Sequence, residues 1–486
     1  MSETEKKSVT GSKIGRNLFG RRIIYTSEKA VTRANVVNVV EQAYLIHLIN
    51  RNEIEYLWKY YKGDQPVLSR KREIRNELTQ HVVENRANEI VSFKTGYLVG
   101  KPIQYISSAS GNGVTEAVGR LNDAMRVIGK HTKDKVLVEW TQICGLGYRY
   151  VVQNNERYVK SPFNLYTLDP RNTFVIRAND YTQRVLAAVN YVADREQNIT
   201  FTVYTDSYCF TFKKDSGREV HTINAFGLIP IIEYQANSAR QGCFEIVLSM
   251  LDAINSFDSA RLEAVEQFVQ SLLVLTNCQL EDGVTADSIR AAGLILLKST
   301  GDNKANIDNI AEQLDQSQNQ TLKDDLYNSV LQIVGVPSQS ASGTSDSSNN
   351  GAVVLKNGWQ GAETRAEDFE AMFQLPEQEM LAVVAAICDG LSEISFDTAD
   401  IEVKFTRRNY ENILSKSQTL TTMLQNAKIH PKCAYEASGL FADTEEAYLM
   451  GMDWYEEEQK RQEQEAKQAA QTQQRVTWNA QKKQSV

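Results

Sequence analysis

Apolar residues recur every three to four positions over much of the chain, which is the spacing of amphipathic helices. The pattern predicts helices over residues 35–62, 85–98, 113–145, 243–270, 317–337, 352–388, 411–430 and 433–470. Proline is scarce, with 8 residues in the chain, and this suits long helices. Helices therefore form the frame of the predicted structure.

Between residues 103 and 240 the pattern changes to short runs of β-branched and aromatic residues, separated by Gly, Asn, Asp and Pro. These runs predict strands over 103–106, 148–153, 174–177, 185–192, 201–204, 210–213 and 229–234. With the helix over 113–145 they predict an α+β domain. The segment IEVKFT, residues 401–406, alternates clearly and predicts one more strand.

A small α/β module interrupts the helical pattern between residues 271 and 316. Its strand-like segments are 272–275 and 294–297, with polar turns between and after them. The helices over 243–270 and 317–337 enter and leave this module. We therefore expect the two helices to lie side by side, with the module at their far end.

The stretch SQSASGTSDSSNNG, residues 338–351, contains no apolar residue larger than alanine. Ser, Asn and Gly favour turns and flexible loops and do not anchor a core. Helical patterns precede and follow it, so a bare polar loop joins two helices in the middle of the chain. Long loops of this kind are either functional or disordered, and the flanking helices favour a functional loop.

Length and composition indicate a multi-domain globular protein. The chain has 486 residues, enough for two to four domains, and 42% of them are hydrophobic. The formal net charge of −8 argues against a basic nucleic-acid clamp. No apolar run approaches 18 residues, so no membrane span is predicted. The polar, basic N-terminus lacks a secretory signal. Residues 1–35 are interpreted as a flexible arm, either solvated or in contact with a partner or nucleic acid, and residues 472–486 as a disordered tail.

No common constellation of catalytic or metal-ligating residues is present. The 6 cysteines are scattered, which indicates reduced thiols rather than a disulfide framework or a zinc site. The pairs Gly100-Lys101 and Gly129-Lys130 both fail the phosphate-binding pattern G-x-x-x-x-G-K-[ST]. The 5 histidines lie far apart and read as structural or surface residues. We therefore predict no enzyme, no cofactor and no metal.

Several segments, taken in order, resemble the SPP1-type (Gp6-like) portal proteins of tailed bacteriophages, over roughly residues 40–460. The segments that carry the resemblance are YYKGDQP at 60–66, NRANEIVSFKTGYLVGKPIQY at 85–105, TLDPRNTFVI at 167–176, FGLIPIIEYQAN at 226–237, FEIVLSMLDAINSFDSARLEAVEQFVQSLLVLTN at 244–277, NNGAVVLKNGWQGAETRAEDFEAMF at 349–373 and IEVKFTRRN at 401–409. Their order and spacing, rather than any single motif, make the likeness specific.

The resemblance implies a homo-oligomeric, commonly dodecameric ring at one capsid vertex, with a channel for packaging and ejecting double-stranded DNA. It implies as partners the terminase large subunit, a head-completion or connector protein, and the major capsid and scaffolding proteins, with no membrane. It places the protein in the virion, and in the host cytoplasm during assembly. The motor ATPase is a separate protein in this family, which agrees with the missing phosphate-binding motif.

The family's parts can be carried onto this chain by position. They are a wing over 36–242, a stem of helices 243–270 and 317–337, a clip over 271–316, a tunnel loop over 338–351, the wing's long helix and strand over 352–412, and crown helices over 413–471. The tunnel loop would present residues to DNA, namely Ser338, Ser340, Ser342, Gly343, Asp346, Ser347, Asn349 and Asn350, with Lys356 near its base. Subunit contacts would involve Leu251, Ile254, Phe257, Val354 and Trp359.

The loop's composition suits a conduit. Lys and Arg bind phosphates tightly and would stall moving DNA, whereas Ser, Asn and Gly offer contact with little charge. Two other interpretations remain open on these residues. One is a non-viral helical scaffold or adaptor in which 338–351 is a mere linker, and the other is an enzyme with an unrecognised site.

Overall fold

The computed structural model describes residues 18–71, 79–107, 112–154, 161–215, 219–269, 272–276, 278–280, 297–299, 306–310, 316–337, 358–389, 394–406, 413–426, 428–441 and 444–484. Its helices are α1 (Val36–Tyr61), α2 (Arg86–Leu98), α3 (Asn112–Val127), α4 (Lys130–Cys144), α5 (Leu248–Val269), α6 (Gln316–Val334), α7 (Trp359–Asp389), α8 (Ile413–Leu424), α9 (Pro431–Ser438) and α10 (Thr444–Gln484). Helices and strands mix as the α+β prediction requires.

Two sheets form the body of the predicted wing. The strands are β1 (Tyr25–Thr26), β2 (Gln104–Ser107), β3 (Leu146–Gln153), β4 (Phe163–Leu168), β5 (Thr173–Ala178), β6 (Val185–Ala193), β7 (Ile199–Tyr204), β8 (Tyr208–Lys213), β9 (Glu219–Ile223) and β10 (Ile231–Gln235). One sheet has the order β1-β5-β6-β7-β8-β9 and the other the order β10-β3-β4. A late strand, β15 (Ile401–Lys404), pairs antiparallel with β2. The chain therefore returns to the wing after the long helix α7.

The helix α1 packs across the six-stranded sheet. Tyr44 makes edge-on contacts with the rings of Tyr191 and Phe201, both with centroids 5.2 Å away. His47 stacks on Phe174 at 4.6 Å, and burial lowers the pKa of its imidazole to about 4. His47 is thus a neutral core residue, as the sequence interpretation expected.

The segment predicted as one helix over 113–145 is two helices. α3 ends at Val127, and α4 begins at Lys130. Gly129 between them has φ +67°, a left-handed conformation that interrupts a right-handed helix. The periodicity continues across the break because both helices bury apolar residues in the same core.

The prediction of a flexible arm to residue 35 is wrong for residues 18–35. Leu18 is buried, and β1 pairs in parallel with β5. Arg21 is also buried, with its guanidinium 3.0 Å from the Glu245 carboxylate. Gly20 has φ +86°, and a Cβ there would lie 1.9 Å from the carbonyl oxygen of Ala239. The segment is therefore fitted closely into the wing, by contacts too distant in sequence to be read from local composition.

The disordered tail expected over 472–486 is also wrong for most of its length, because α10 continues to Gln484. Residues 472–484 contain several Gln, Lys and Arg residues, which have high helix propensity. The part of α10 that precedes these residues carries ion pairs at i, i+4, including Lys460 with Glu456 at 4.0 Å and Lys467 with Glu463 at 3.9 Å.

The described parts of the inserted module are four short strands: β11 (Leu272–Thr276), β12 (Cys278–Leu280), β13 (Leu297–Ser299) and β14 (Asn306–Ile310). β11 pairs antiparallel with β14, and β12 with β13. The segments that enter and leave the module are therefore joined at its base.

Candidate functional site

The two helices that flank the module, α5 and α6, lie antiparallel and in contact. Arg261 Nη1 donates to Gln320 Oε1 at 2.9 Å, and Lys323 Nζ donates to Asp258 Oδ2 at 3.0 Å. The later residue of α5 pairs with the earlier residue of α6, which shows that the two helices run in opposite directions. The predicted side-by-side arrangement is confirmed, and the strand pair β11–β14 continues it into the module.

The ends of α5 and α6 away from the module are embedded in the wing. Leu251 and Ile254 of α5 belong to one apolar core with Val330, Leu331 and Val334 of α6. The same core includes residues of α1, α2 and α4. In addition, Tyr60 OH of α1 donates to Asp252 Oδ1 at 2.9 Å. The pair of helices therefore rises from the wing as one fixed unit.

An extended segment, residues 79–85, runs along α5 and pins it. The backbone N–H groups of alternate residues donate to side chains spaced four apart on the helix: Gln80 to Glu263 Oε1 at 3.0 Å, Val82 to Ser259 Oγ at 3.0 Å, and Glu84 to Asn255 Oδ1 at 2.8 Å. All three acceptor residues are buried. We call the segment 79–85 the strap. Its hydrogen bonds explain why a helix in an apolar environment carries these polar side chains.

A small charged cluster lies where the strap meets α6. Lys323 Nζ lies 2.9 Å from Glu84 Oε2 and 3.0 Å from Asp258 Oδ2, so one ammonium group joins two carboxylates. Burial, together with the neighbouring Glu84, raises the pKa of Asp258. The cluster is half-buried, and both of its carboxylates pair with the Lys323 ammonium, which indicates that it fixes the helices relative to each other.

The described residues that flank the predicted tunnel loop, Pro337 before it and Gly358 after it, lie close together. A Cβ on Gly358 would lie 4.0 Å from the Cα of Pro337. Arg365 of α7 donates through Nη1 to the carbonyl oxygen of Ile333 in the last turn of α6. The described residues on either side of 338–357 therefore lie close together in the structure. Residues 338–351, Val354 and Lys356 themselves lie outside the described residues.

Trp359 lies at this point of closure. Its ring is 6.0 Å from those of Phe93 and Tyr97 on α2, and Tyr97 OH donates to Glu363 one turn further along α7. The half-buried tryptophan thus packs against its own chain. Its predicted part in a subunit contact stays a prediction.

The structure also locates the other residues predicted for subunit contacts. Leu251 and Ile254 are buried, 3% and 1% exposed, against their own chain. Phe257 is half-buried. Their contact with a neighbouring subunit stays a prediction. The helices α5 and α6 also expose apolar side chains that were not among the predicted subunit contacts: Leu262 at 42%, Val265 at 39% and Leu322 at 51%.

A buried charge network holds α7, and sequence reasoning missed it. Glu377, one residue after Pro376 and fully buried, accepts hydrogen bonds or ion pairs from four groups: Lys130 Nζ at 2.7 Å, Arg149 Nη1 at 3.4 Å, Tyr105 OH at 2.6 Å and Tyr234 OH at 2.7 Å. Asp134 pairs with both cations.

These arrangements position helices and offer no reactive group. Among the described residues, no cluster of three or more His, Cys, Asp or Glu has the geometry to hold a metal ion. Within the same part of the chain, no helix combines the length and apolarity needed to cross a membrane.

Comparison with known proteins gives one family. The model of the family described as phage portal protein, SPP1 Gp6-like, matches residues 45–472. No curated protein matches the chain. Among solved structures, a chain described as the neck of a native GTA particle computed with C12 symmetry is similar, at 12% sequence identity and a TM-score of 0.42. That similarity covers 73% of this chain and 90% of the other.

Proposed function

The chain belongs to the SPP1 Gp6-like family of phage portal proteins, and from this premise we propose that its copies close into a ring at one capsid vertex. Double-stranded DNA would enter and leave the capsid through the centre of that ring. The family match over residues 45–472 carries the proposal, and it argues against the non-viral scaffold. Portal proteins are structural rather than catalytic, so we expect the packaging energy to come from a separate ATPase.

The ring proposal is supported by apolar surface that one chain leaves exposed. Leu262, Val265 and Leu322 lie on the paired helices α5 and α6, beyond the part embedded in the wing. Identical copies that meet through two different surfaces form a ring when the rotation between neighbours closes, and an open filament when it does not. We propose that neighbouring subunits meet along α5 and along α7, with a dodecamer as the state that the resemblance implies.

Mass measurement under native conditions tests this ring. The purified chain should appear at a whole multiple, near twelve, of 54.8 kDa. Substituting Leu262 and Leu322 by Gln should weaken assembly while leaving the thermal stability of the monomer unchanged, since both side chains are exposed. A wild-type chain that stays monomeric at micromolar concentration would contradict the proposal.

For the loop at residues 338–351 we propose a position in the channel. The described residues on either side of 338–357, Pro337 and Gly358, lie close together, which supports a loop that starts and ends at one point of the wing. Its only charge is Asp346. A ring of such loops would touch the DNA backbone without the phosphate grip of basic residues. Lys356 would be the nearest cation to the loop base.

For the module at residues 271–316 we propose docking of the packaging ATPase, the terminase large subunit, and later of the connector. The module lies at the end of two paired helices, so it is well placed to contact another protein. Thr276 and Asn306 are register partners, and a two-residue turn can therefore replace residues 277–305 and keep the β11–β14 pair. That variant should still form rings but lose terminase binding in a pull-down. Unchanged binding would refute the docking role.

A further inference from the structure

A cluster of buried charges fastens the N-terminal segment, residues 18–26, to the rest of the wing. Arg21 lies between two carboxylates that belong to different elements. Its Nη2 is 3.0 Å from Glu245 Oε2, in the turn before α5, and its Nε is 3.1 Å from Glu53 Oε2 on α1. The side chains of Arg21 and Glu245 are fully buried, and that of Glu53 is 15% exposed. The cluster therefore joins three elements at the point where α5 begins.

The charges of this cluster do not balance. Among the described residues, neither Glu53 nor Glu245 pairs with a second cation. One guanidinium and two ionised carboxylates leave a net charge of −1 in a site that water hardly reaches. In addition, Arg21 Nη1 and Glu53 Oε2 are buried and find no hydrogen-bond partner in the described part of the chain. Since an unbalanced buried charge is costly, the site gains free energy by binding a proton.

Glu245 is the carboxyl best placed to hold that proton. Its Oε1 accepts a hydrogen bond from the Gly242 N–H at 2.9 Å, while its Oε2 faces Arg21. Burial raises the pKa of Glu245 to about 7, although the charge of Arg21 acts in the opposite direction. The pKa value thus agrees with the charge imbalance that the geometry shows.

Two buried thiols interact electrostatically with Glu245, namely Cys144 at the end of α4 and Cys243. Burial raises the pKa of each thiol to about 12, so both are neutral near pH 7. Lys94 acts on Cys243 and Asp169 acts on Cys144, but neither forms an ion pair with Glu245 within the described residues. Of the groups at this site, the two carboxyls are therefore the ones that can take up a proton near neutral pH.

Backbone amides of the segment report whether it is docked. The Arg21 N–H donates to the carbonyl oxygen of Arg240 at 3.0 Å. The Arg22 N–H donates to Asn50 Oδ1 at 2.9 Å, and Asn50 Nδ2 donates back to the Arg22 carbonyl oxygen at 2.8 Å. All of these partners lie on other elements of the wing. These bonds break when the segment leaves, so both amides lose their protection from exchange.

We propose that residues 18–26 form a proton-dependent latch, which holds α1 and the start of α5 most firmly when the Arg21 cluster carries one bound proton. Undocking exposes both carboxyls to water, where they ionise near pH 4.5, so the docked segment retains a proton that the undocked segment releases. Docking therefore weakens as pH rises from about 4.5 to about 7, and levels off above that range. The inference does not depend on ring formation, because all three elements belong to one chain.

Hydrogen exchange over residues 18–26 of the full-length protein tests the latch, using protection factors so that the intrinsic pH dependence of exchange cancels. In the wild type, protection of the Arg21 and Arg22 amides should fall about tenfold between pH 6 and pH 8, as linkage predicts for a group that titrates near pH 7. Glu245→Gln and Glu53→Gln each leave one cation with one carboxylate. Each variant should lose this pH dependence and be at least as well protected as the wild type at pH 8.

Two further variants frame the measurement. Arg21→Gln removes the cation and should lower protection of the segment at every pH, while the amides of the six-stranded sheet stay protected. Glu367→Gln, at an exposed position of α7, removes a carboxylate far from the cluster in sequence and should follow the wild type.

Protection that is equal at pH 6 and pH 8 in the wild type would overturn the latch. A pH dependence that survives in both Glu245→Gln and Glu53→Gln would overturn it as well, because another group would then be responsible. If Glu245→Gln does not fold, Glu53→Gln decides alone, since that side chain reaches the edge of the cluster. Native mass of the same samples reports ring formation separately, so failure of the latch leaves the proposed function standing.

Discussion

Single buried charges decide how α7, the helix that follows the tunnel loop, is held in the wing. Burial alone would raise the pKa of Glu377, but the adjacent Lys130 and Arg149 outweigh it and lower that pKa to about 2. The carboxylate is therefore ionised at neutral pH and balanced by two buried cations. Such networks fix one geometry, because a member that loses its partner is left as an uncompensated buried charge.

The substitution Glu377→Gln tests this network. At pH 7 it should lower the free energy of unfolding by about 3–5 kcal/mol, as breaking a buried pair does. Because the folded-state pKa is depressed, the wild type should lose stability as pH falls from about 4.5 towards 2. The variant should lack that part of the decline. Denaturant titrations across this pH range measure both effects, with Glu367→Gln on an exposed site of α7 as the control.

Leu251 is buried, so a charged substitution at this position should lower the stability of the fold strongly. Leu251→Asp places an unpaired carboxylate in the core shared by α5 and α6 and should cost about 3–5 kcal/mol of stability. Val220→Asp is the matched control, since Val220 is 71% exposed, and surface substitutions usually stay within about 0.5 kcal/mol. Chemical denaturation of the two variants should differ clearly. Equal stabilities would mean that Leu251 does not pack as described.

At the scale of elements, hydrophobic periodicity predicted the helices and strands that form from short stretches of sequence. The long amphipathic helices, most of the wing strands and the paired helices around the inserted module all follow from periodicity. The strand β9, Glu219–Ile223, was missed because EVHTI shows no clear alternation at a sheet edge. The strap was missed for a different reason. Its order comes from Asn255, Ser259 and Glu263, more than 170 positions away in the chain, and no local pattern contains that information.

Backbone flexibility is the property of the predicted tunnel loop that matters most for the proposed channel. Gly343→Pro combined with Ser347→Pro should impair DNA packaging while leaving ring assembly intact, because proline restricts the backbone. Ser→Ala changes at Ser340 and Ser342 should be mild, since a hydroxyl at a wet surface contributes little net free energy. A packaging assay with rings of verified mass measures this. Normal packaging by the proline variant would argue against a moving guide.

Added charge on the same loop should act differently from added stiffness. Ser342→Lys with Ser345→Lys should slow DNA translocation, because lysines bind phosphates. Raising the salt concentration should relieve the defect, since this binding weakens steeply with ionic strength. Ser342→Gln with Ser345→Gln is the control for side-chain size. A lysine defect that salt does not relieve would remove the loop from contact with DNA.

At the scale of the whole molecule, the sequence indicated the family and the order of the parts but not how far each part completes itself. The wing has its own cores, with residues such as Phe174, Phe201 and Tyr234 buried. The C-terminal helices α8 to α10 bury only Ala434 and Ser438 among their described residues, and periodicity alone could not reveal this, because an apolar stripe looks the same in sequence whether or not its own chain covers it. The central proposal concerns assembly, namely that copies of this chain close into a ring.

Electron microscopy of the purified full-length protein tests that claim most directly. Class averages viewed along the symmetry axis should show closed rings with a central opening wide enough to admit a DNA duplex. Compact particles of single-chain size, or rings whose centre is filled by folded protein, would contradict the account.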